Sequence, residues 1–517
     1  MVPPLLALFA FPFLVVVLFA RLKPVLAMAA AIVTGYLFLP HGRGLDLPMV
    51  PPINKDFVPA VAVLIAMLII LARTKNTADP RFLTTWLPRK PLVLAFLAIV
   101  PLSFIGMVLT NGDRLVHGPL TLPGLRPYDA ASLLVQAGIL LLPFLLARRF
   151  LGHPDTHVTL LWVVVVAGTA YSFLSLYETR MSPQLNTNIY GYFQHRWGQH
   201  VRGDGFRPIV FLQHGLWVSL FFSTVVLSAL ALFKATPPPT RVRYLFVALW
   251  VLMTLVLTKS LGALLITLAL APVILFLSVR MQVLIACFFA ISVTMYPMLR
   301  GAGLVPIDRM SSFAATIDSN RALSFETRLR NEDLLLEKAQ QRPVFGWGTW
   351  GRNRVYDNTG SSLTIPDGYW IITIGTNGWA GYIGIFGLLS SGIIGLAMAG
   401  RRLDITPATA GLAVVLAGNM VDLIPNATLT PVTWLLAGAL LGRYEHGRIS
   451  EISEEVPVID TPRRVQYSRF GPGRSPAEPV GTLARASEPP ARHTELTLHR
   501  KTERAAPLRR RLSPTKR

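Results

Sequence analysis

Asp367 stands at the head of Ile365-Pro-Asp-Gly-Tyr-Trp-Ile-Ile-Thr-Ile-Gly-Thr-Asn-Gly-Trp-Ala-Gly381, a carboxylate followed by spaced glycines at the start of an apolar run that reaches Gly400. A carboxylate at the water boundary of a hydrophobic segment can accept a proton from a bound hydroxyl. Its ordinary pKa of about 4 makes it a weak base unless burial raises it. Asp before a helix also caps free amides and favours the helix dipole, so capping is the simpler role for Asp367.

A second chemical segment is Trp197-Gly-Gln-His-Val-Arg-Gly-Asp-Gly-Phe-Arg-Pro208, which with Arg196 presents Arg196, Arg202 and Arg207 just ahead of an apolar run. Guanidinium groups grip phosphate oxygens through paired donors and stay charged, which suits a diphosphate held at a bilayer surface. Arginines that snorkel on a tight turn are the simpler account of each one singly. Gln213-His214-Gly215 follows, and a span that begins at Pro208 places His214 about two helical turns inside it. His214 is thus a rival base to Asp367, with a helix-packing histidine as its plainer role.

The elements that must position these groups follow from composition. The chain has 517 residues, 52% of them hydrophobic and only 15% charged, with a mean hydropathy of +0.49. Continuous apolar runs such as 160–173 and 208–233 lack the alternation of barrel strands. The sequence therefore predicts an all-α, polytopic transmembrane helical bundle. Spans fall near 3–20, 24–40, 57–72, 91–110, 129–147, 158–176, 208–233, 242–258, 261–279, 281–299, 369–400, 406–424 and 427–443, about 12–13 in all. The first lacks a basic leader and a cleavage signal and reads as a retained span. Basic residues cluster in alternate short loops, so that face is expected to be cytoplasmic and residues 41–56, 111–128, 177–207 and 300–368 extracytoplasmic.

Residues 1–443 form the predicted membrane domain, and 444–517, rich in Pro, Arg and Ser, a disordered basic cytoplasmic tail. The net charge of +22 is spread over helix-flanking loops and this tail without a nucleic-acid fold, so anionic lipid headgroups are the expected partners. The single cysteine, Cys287, excludes an intramolecular disulfide and thiol-rich metal sites. No Walker loop, dinucleotide fingerprint or HExxH motif is present, and no cofactor or metal is expected.

The long loop 300–368 holds a helical segment, 324–341, ended by Arg342-Pro343. Leu329, Leu336 and Ala339 are expected to face the bundle or membrane while Arg321 and Arg328 point elsewhere. Val344-Phe-Gly-Trp-Gly-Thr-Trp-Gly351 then forms a glycine-rich turn, including Gly346 and Gly348, with two tryptophans suited to anchor at the interface or to stack on a sugar.

The arginine-and-glycine segment before a span, the span pair broken at Thr258-Lys-Ser-Leu-Gly262, and the long loop carrying Pro343-Val-Phe-Gly-Trp-Gly348 resemble the O-antigen ligase and polymerase superfamily of bacterial envelope membrane proteins. The likeness covers roughly residues 190–400. Its ligases carry His, then Asn, Ser or Gln, nine residues, and Gly-x-x-Gly; here Asp367 and Gly368 precede nine residues and Gly378-Trp-Ala-Gly381. The spacing agrees and the first two residues differ. Ser260-Leu-Gly262 stands where ligases show Ser-Arg-Gly, with Lys259 beside it.

The resemblance implies a glycosyltransferase of the inner membrane that takes a glycan from an undecaprenyl-diphosphate carrier and joins it to an acceptor hydroxyl on the periplasmic side. It implies diphosphate contacts from Arg202 and Arg207 before the mid-chain span and from Arg321 or Arg328 in the long loop, with Asp367 in the place of the family histidine. Polysaccharide assembly proteins are further expected partners. Two other readings stay open: a transporter of lipid-linked glycans, suggested by Gln213, His214, Asn377 and Asn419, and a catalytically silent assembly protein.

Overall fold

The computed structural model describes residues 1–47, 52–73, 79, 81–202, 205–305 and 319–447. Its helices are α1 (Pro4–Arg21), α2 (Pro24–Phe38), α3 (Phe57–Arg73), α4 (Pro91–Thr110), α5 (Pro127–Phe150), α6 (Pro154–Met181), α7 (Leu185–Tyr190) and α8 (Gly215–Ala235). They continue with α9 (Val242–Leu257), α10 (Leu261–Phe276), α11 (Val279–Gly301), α12 (Ser319–Gln340), α13 (Tyr369–Ala399), α14 (Pro407–Asp422) and α15 (Pro431–His446). Two short hairpins are the strands: β1 (Leu115–His117) with β2 (Leu120–Leu122), and β3 (Val201–Arg202) with β4 (Gly205–Phe206).

The chain is therefore an all-α bundle with the architecture of a multi-pass membrane protein. Seven helices, α1, α4, α5, α6, α8, α11 and α13, are long and apolar enough to cross a membrane. The remaining predicted spans also coincide with helices, but these run to 15–17 residues. At 1.5 Å per residue they reach about 25 Å, short of a hydrocarbon core of about 30 Å. Seven helices begin on proline, whose missing amide costs nothing in the first turn.

α8 sits at the centre, buried along most of its length against α6, α9, α10 and α14. A helix apolar on all sides lacks a directional pattern, and hydroxyls and amides specify its neighbours instead. Thr224 donates to Asn419 Oδ1 at 2.8 Å, Asn419 Nδ2 to Thr433 at 3.2 Å, and Thr267 to Ser223 at 2.7 Å. Asn419 is thus a stitch between helices, and Gln213 is exposed ahead of α8.

Two differences from the sequence expectation bear on the site. The span predicted from Pro208 starts as a helix only at Gly215. Ile209 to Leu212 are buried but not helical, and protein groups satisfy their backbone as water cannot. The Glu178 carboxylate accepts from the amides of Ile209 and Val210 at 2.9 and 2.7 Å, and the Tyr171 hydroxyl from Phe211 at 3.1 Å. Gln194 donates to the carbonyls of Val210 and Leu212, and Lys55 to that of Phe211. The second difference is at the last helix, where α15 runs on to His446, three residues past the predicted end of the span at 443. The rest of the predicted tail, 448–517, lies outside the described residues.

Candidate functional site

Asp367 does not cap α13. Gly368 is the N-cap residue, and the first helical amide, that of Tyr369, donates to the carbonyls of Leu423 and Asn426 in the loop after α14. The Asp367 carboxylate faces Arg328 Nε instead, at 3.3 Å, each side chain 37% exposed. Arg328 comes from α12, whose inward face is Arg328, Glu332, Leu335 and Ala339, the spacing of one helical stripe. The expectation that Arg328 points away from the bundle is overturned, because the hydrophobic stripe is shorter than the helix and a guanidinium completes it. Arg321, on the same helix, has its side chain outside the described residues.

Glu332 is buried one turn along from Arg328. The Arg300 guanidinium approaches it at 4.0 Å while donating to Asp333 at 2.6 Å, and the Tyr296 hydroxyl and Trp370 indole face the same carboxyl. Burial pushes the Glu332 carboxyl up to about 7 against the opposing pull of Arg300. Burial likewise raises Asp367 above the ordinary carboxylate range, with Arg328 opposing. Asp422, at the end of α14, accepts from Asn426 at 3.0 Å and Thr428 at 2.5 Å and lies within electrostatic reach of Arg328. This end of the bundle therefore holds a half-exposed base with raised affinity for protons beside a cation.

The second cluster surrounds the entrance to α8. The hairpin pairs Val201 with Phe206 and Arg202 with Gly205, and the Arg207 amide donates to the His200 carbonyl at 2.7 Å. Arg207 is buried, its Nη2 donating to the Lys259 carbonyl at 3.0 Å. A Cβ on Gly215 would stand 2.3 Å from its side chain, so glycine there makes room for the arginine. Lys259 holds a left-handed turn (φ 55°) between α9 and α10, and its ammonium donates to the Arg202 carbonyl. Arg202, Arg207 and Lys259 thus gather at one place, with the Arg202 side chain exposed.

His214 lies at this entrance and not two turns inside a span, since the helix begins after it. Its Nδ1 accepts from the Leu216 amide at 3.1 Å as the cap of α8. Burial, His200 and the Arg207 guanidinium push it down to about 3, well below an ordinary histidine. The groups acting on it are His195, His200, Arg202 and Arg207, whereas Arg328 acts on Asp367, so the two candidate bases belong to separate clusters. His195 and His200 were missed in the sequence because a hairpin and a buried turn, not helical spacing, bring them to His214.

The glycines of the two quoted motifs form one structural unit. Gly378 interrupts α13 with φ 65° and ψ −169°, a conformation open to glycine almost alone. A continuous helix would bond the Trp379 amide to Gly375 and the Ala380 amide to Thr376. Instead Trp379 and Ala380 donate to the carbonyls of Pro343 and Val344 at 2.8 and 3.1 Å. The freed carbonyls of Gly375 and Thr376 accept from Trp347 and Gly348 at 2.8 and 3.0 Å. Gly346 (φ 69°) and Gly348 (φ 88°) let the loop approach, since a Cβ on Gly346 would meet Thr376 at 2.6 Å. Gly381 makes room for the Asn377 side chain.

The two tryptophans of this turn divide. Trp347 is buried beneath Lys338 and Arg342, whose cations lie 3.7 and 4.2 Å from its ring centre, and its indole donates to the Lys338 carbonyl. Trp350 is 58% exposed and is the ring left for a lipid or a sugar. Arg342 and Arg352 both pair with Asp113, which ties the turn to the loop after α4. No protein-family model matches the chain, and no curated protein sequence matches it.

Proposed function

We propose that this chain is a glycosyltransferase of polymerase or ligase type in a bacterial inner membrane. It would move a glycan from an undecaprenyl-diphosphate carrier to an acceptor hydroxyl on the extracytoplasmic side. The observation that carries the reading is the Asp367–Arg328 pair, which takes no part in capping and lies beneath α12 at the head of a broken helix. The motif likeness of residues 343–381 supports the same reading.

In this reaction the acceptor hydroxyl gives its proton to the Asp367 carboxylate as its oxygen attacks the anomeric carbon. The bond from that carbon to the diphosphate oxygen breaks, and the diphosphate leaves with the added negative charge. Arg202, Arg207, Arg321 and Arg328 are the cations assigned to that charge, stabilising the transition state more than the ground state. The raised proton affinity of Asp367 suits it to the base role, and the basic loops at the other end of the bundle suit anionic lipid.

The test is analysis of surface polysaccharide and lipid-linked precursors in cells whose only copy carries Asp367→Asn, at confirmed membrane levels. Accumulated precursor with polymer lost by at least about a hundredfold is expected, the usual scale for removing a general base. Normal polymer overturns the assignment. Movement of lipid-linked sugar across vesicles by the purified protein, with no bond made, would favour a transporter.

A further inference from the structure

Three histidines that the reaction above does not use gather ahead of α8. His195 lies in the coil after α7, His200 closes a 3-10 turn at Trp197–His200, and His214 caps α8. Their rings pack together, edge to face for His195–His214 at 4.8 Å between centroids and His195–His200 at 5.3 Å, and tilted for His200–His214 at 5.0 Å. Each offers a nitrogen, and those nitrogens lie within 4.8 Å of one another.

His200 is fully buried, and neither of its ring nitrogens has a hydrogen-bond partner; the buried Nδ1 of His195 has none either. A neutral imidazole carries one donor and one acceptor, and burying both unpaired is costly. Adjacent rings that share this deficit are explained by a common ligand that accepts lone pairs.

We infer that His195, His200 and His214 form a binding site for a divalent transition-metal ion of the zinc class, with a fourth position open. Three points no more than 4.8 Å apart fit within a circle of about 2.8 Å radius, against a Zn–N bond of about 2.0–2.1 Å. Side-chain rotation of about 0.7 Å per ring closes the difference. The neighbouring guanidiniums favour an anion, hydroxide or phosphate, as fourth ligand. At His214 the ion and the helix cap compete. When one ring nitrogen binds metal the other carries the proton, so occupancy releases the bond from the Leu216 amide and couples the site to the start of α8.

The inference does not depend on the glycan reaction and is tested without it. Full-length protein in detergent, stripped with chelator, is titrated with Zn2+ against a chromophoric chelator, and with Co2+ while its visible spectrum is recorded. One equivalent per chain and a tetrahedral cobalt spectrum are expected, with a rise in melting temperature on adding Zn2+.

His200→Gln and, separately, His195→Gln should weaken binding by at least about a hundredfold, no less than loss of an outer-shell partner costs at known metal sites. His117→Gln, in the β1–β2 hairpin, should leave it unchanged. Two variants guard against misfolding, since His195 is only part-buried. Stoichiometric binding retained in both, or no saturable binding by the wild-type chain, overturns the site.

Discussion

Burial raises the proton affinity of the Glu332 carboxyl, and this has a thermodynamic signature. Its ordinary value is 4.5 and burial raises it to about 7 in the folded chain, so between these values the native state binds more protons than the unfolded one. Its contribution to stability is full below about 4.5 and is lost as pH rises to about 7, a change of about 3 kcal/mol at most. Glu332→Gln, which keeps the shape and removes the titration, is expected to flatten this part of the profile. Melting of both proteins in detergent by near-ultraviolet circular dichroism at pH 5 and pH 8 reads the effect. The variant should gain on the wild type at the higher pH, and parallel curves would show that Glu332 titrates as a surface group. The sequence does not single out this residue, because Asn331-Glu-Asp333 within a charged helix reads as a solvated face. Asp367 was legible since proline and glycine isolate it before an apolar run, but its partner was not, as Arg328 turns inward only when α12 docks.

At the scale of elements, the break in α13 and the turn at 343–348 stand or fall together. Four backbone bonds join them across Gly378, and a Cβ there would lie 2.2 Å from the Val344 carbonyl in a backbone conformation that L side chains rarely adopt. Gly378→Ala should therefore cost at least about 2 kcal/mol and loosen the loop that carries Trp350. Gly138→Ala on α5, with no atom within 4 Å of the new methyl, should stay within about 1 kcal/mol of the wild type. Thermal melting and limited proteolysis between 343 and 368 distinguish the two. Equal resistance to protease would show that the broken helix does not depend on glycine. Hydropathy located the apolar helices among the described residues because each is a continuous apolar run. It failed at 208–214, where an apolar strand of backbone is sheltered by Glu178, Tyr171, Gln194 and Lys55 from distant parts of the chain. No local pattern encodes that shelter. The two glycine motifs were visible, yet their hydrogen bonding to each other is a long-range pairing that spacing does not reveal.

Among the described residues of the membrane domain the loops sort to two ends. Basic short loops meet at one, where the buried Arg148 guanidinium pairs with Glu445 and donates to the carbonyls of Thr85 and Trp86, and Arg443 donates to the Asp404 carbonyl. The other end carries both candidate bases, the histidine cluster and the 343–368 turn. On the proposed glycan reading, a lipid-linked substrate presented outside the cytoplasm can reach these clusters only if this second end faces outward, and the expected cytoplasmic placement of basic short loops agrees with that orientation. The orientation is testable without any assumption about catalysis. With Cys287, the single cysteine, changed to Ala, one new thiol is placed at Asn358 in the long loop or at Arg401 after α13, both exposed. A membrane-impermeant maleimide applied to sealed right-side-out vesicles should label Asn358→Cys fully and Arg401→Cys only after detergent is added. The reverse pattern would turn the carboxylate, arginine and histidine clusters toward the cytoplasm. The glycan reading would then fail even if Asp367 proved to be a base, because the acceptor and the diphosphate would lie on the wrong side of the membrane.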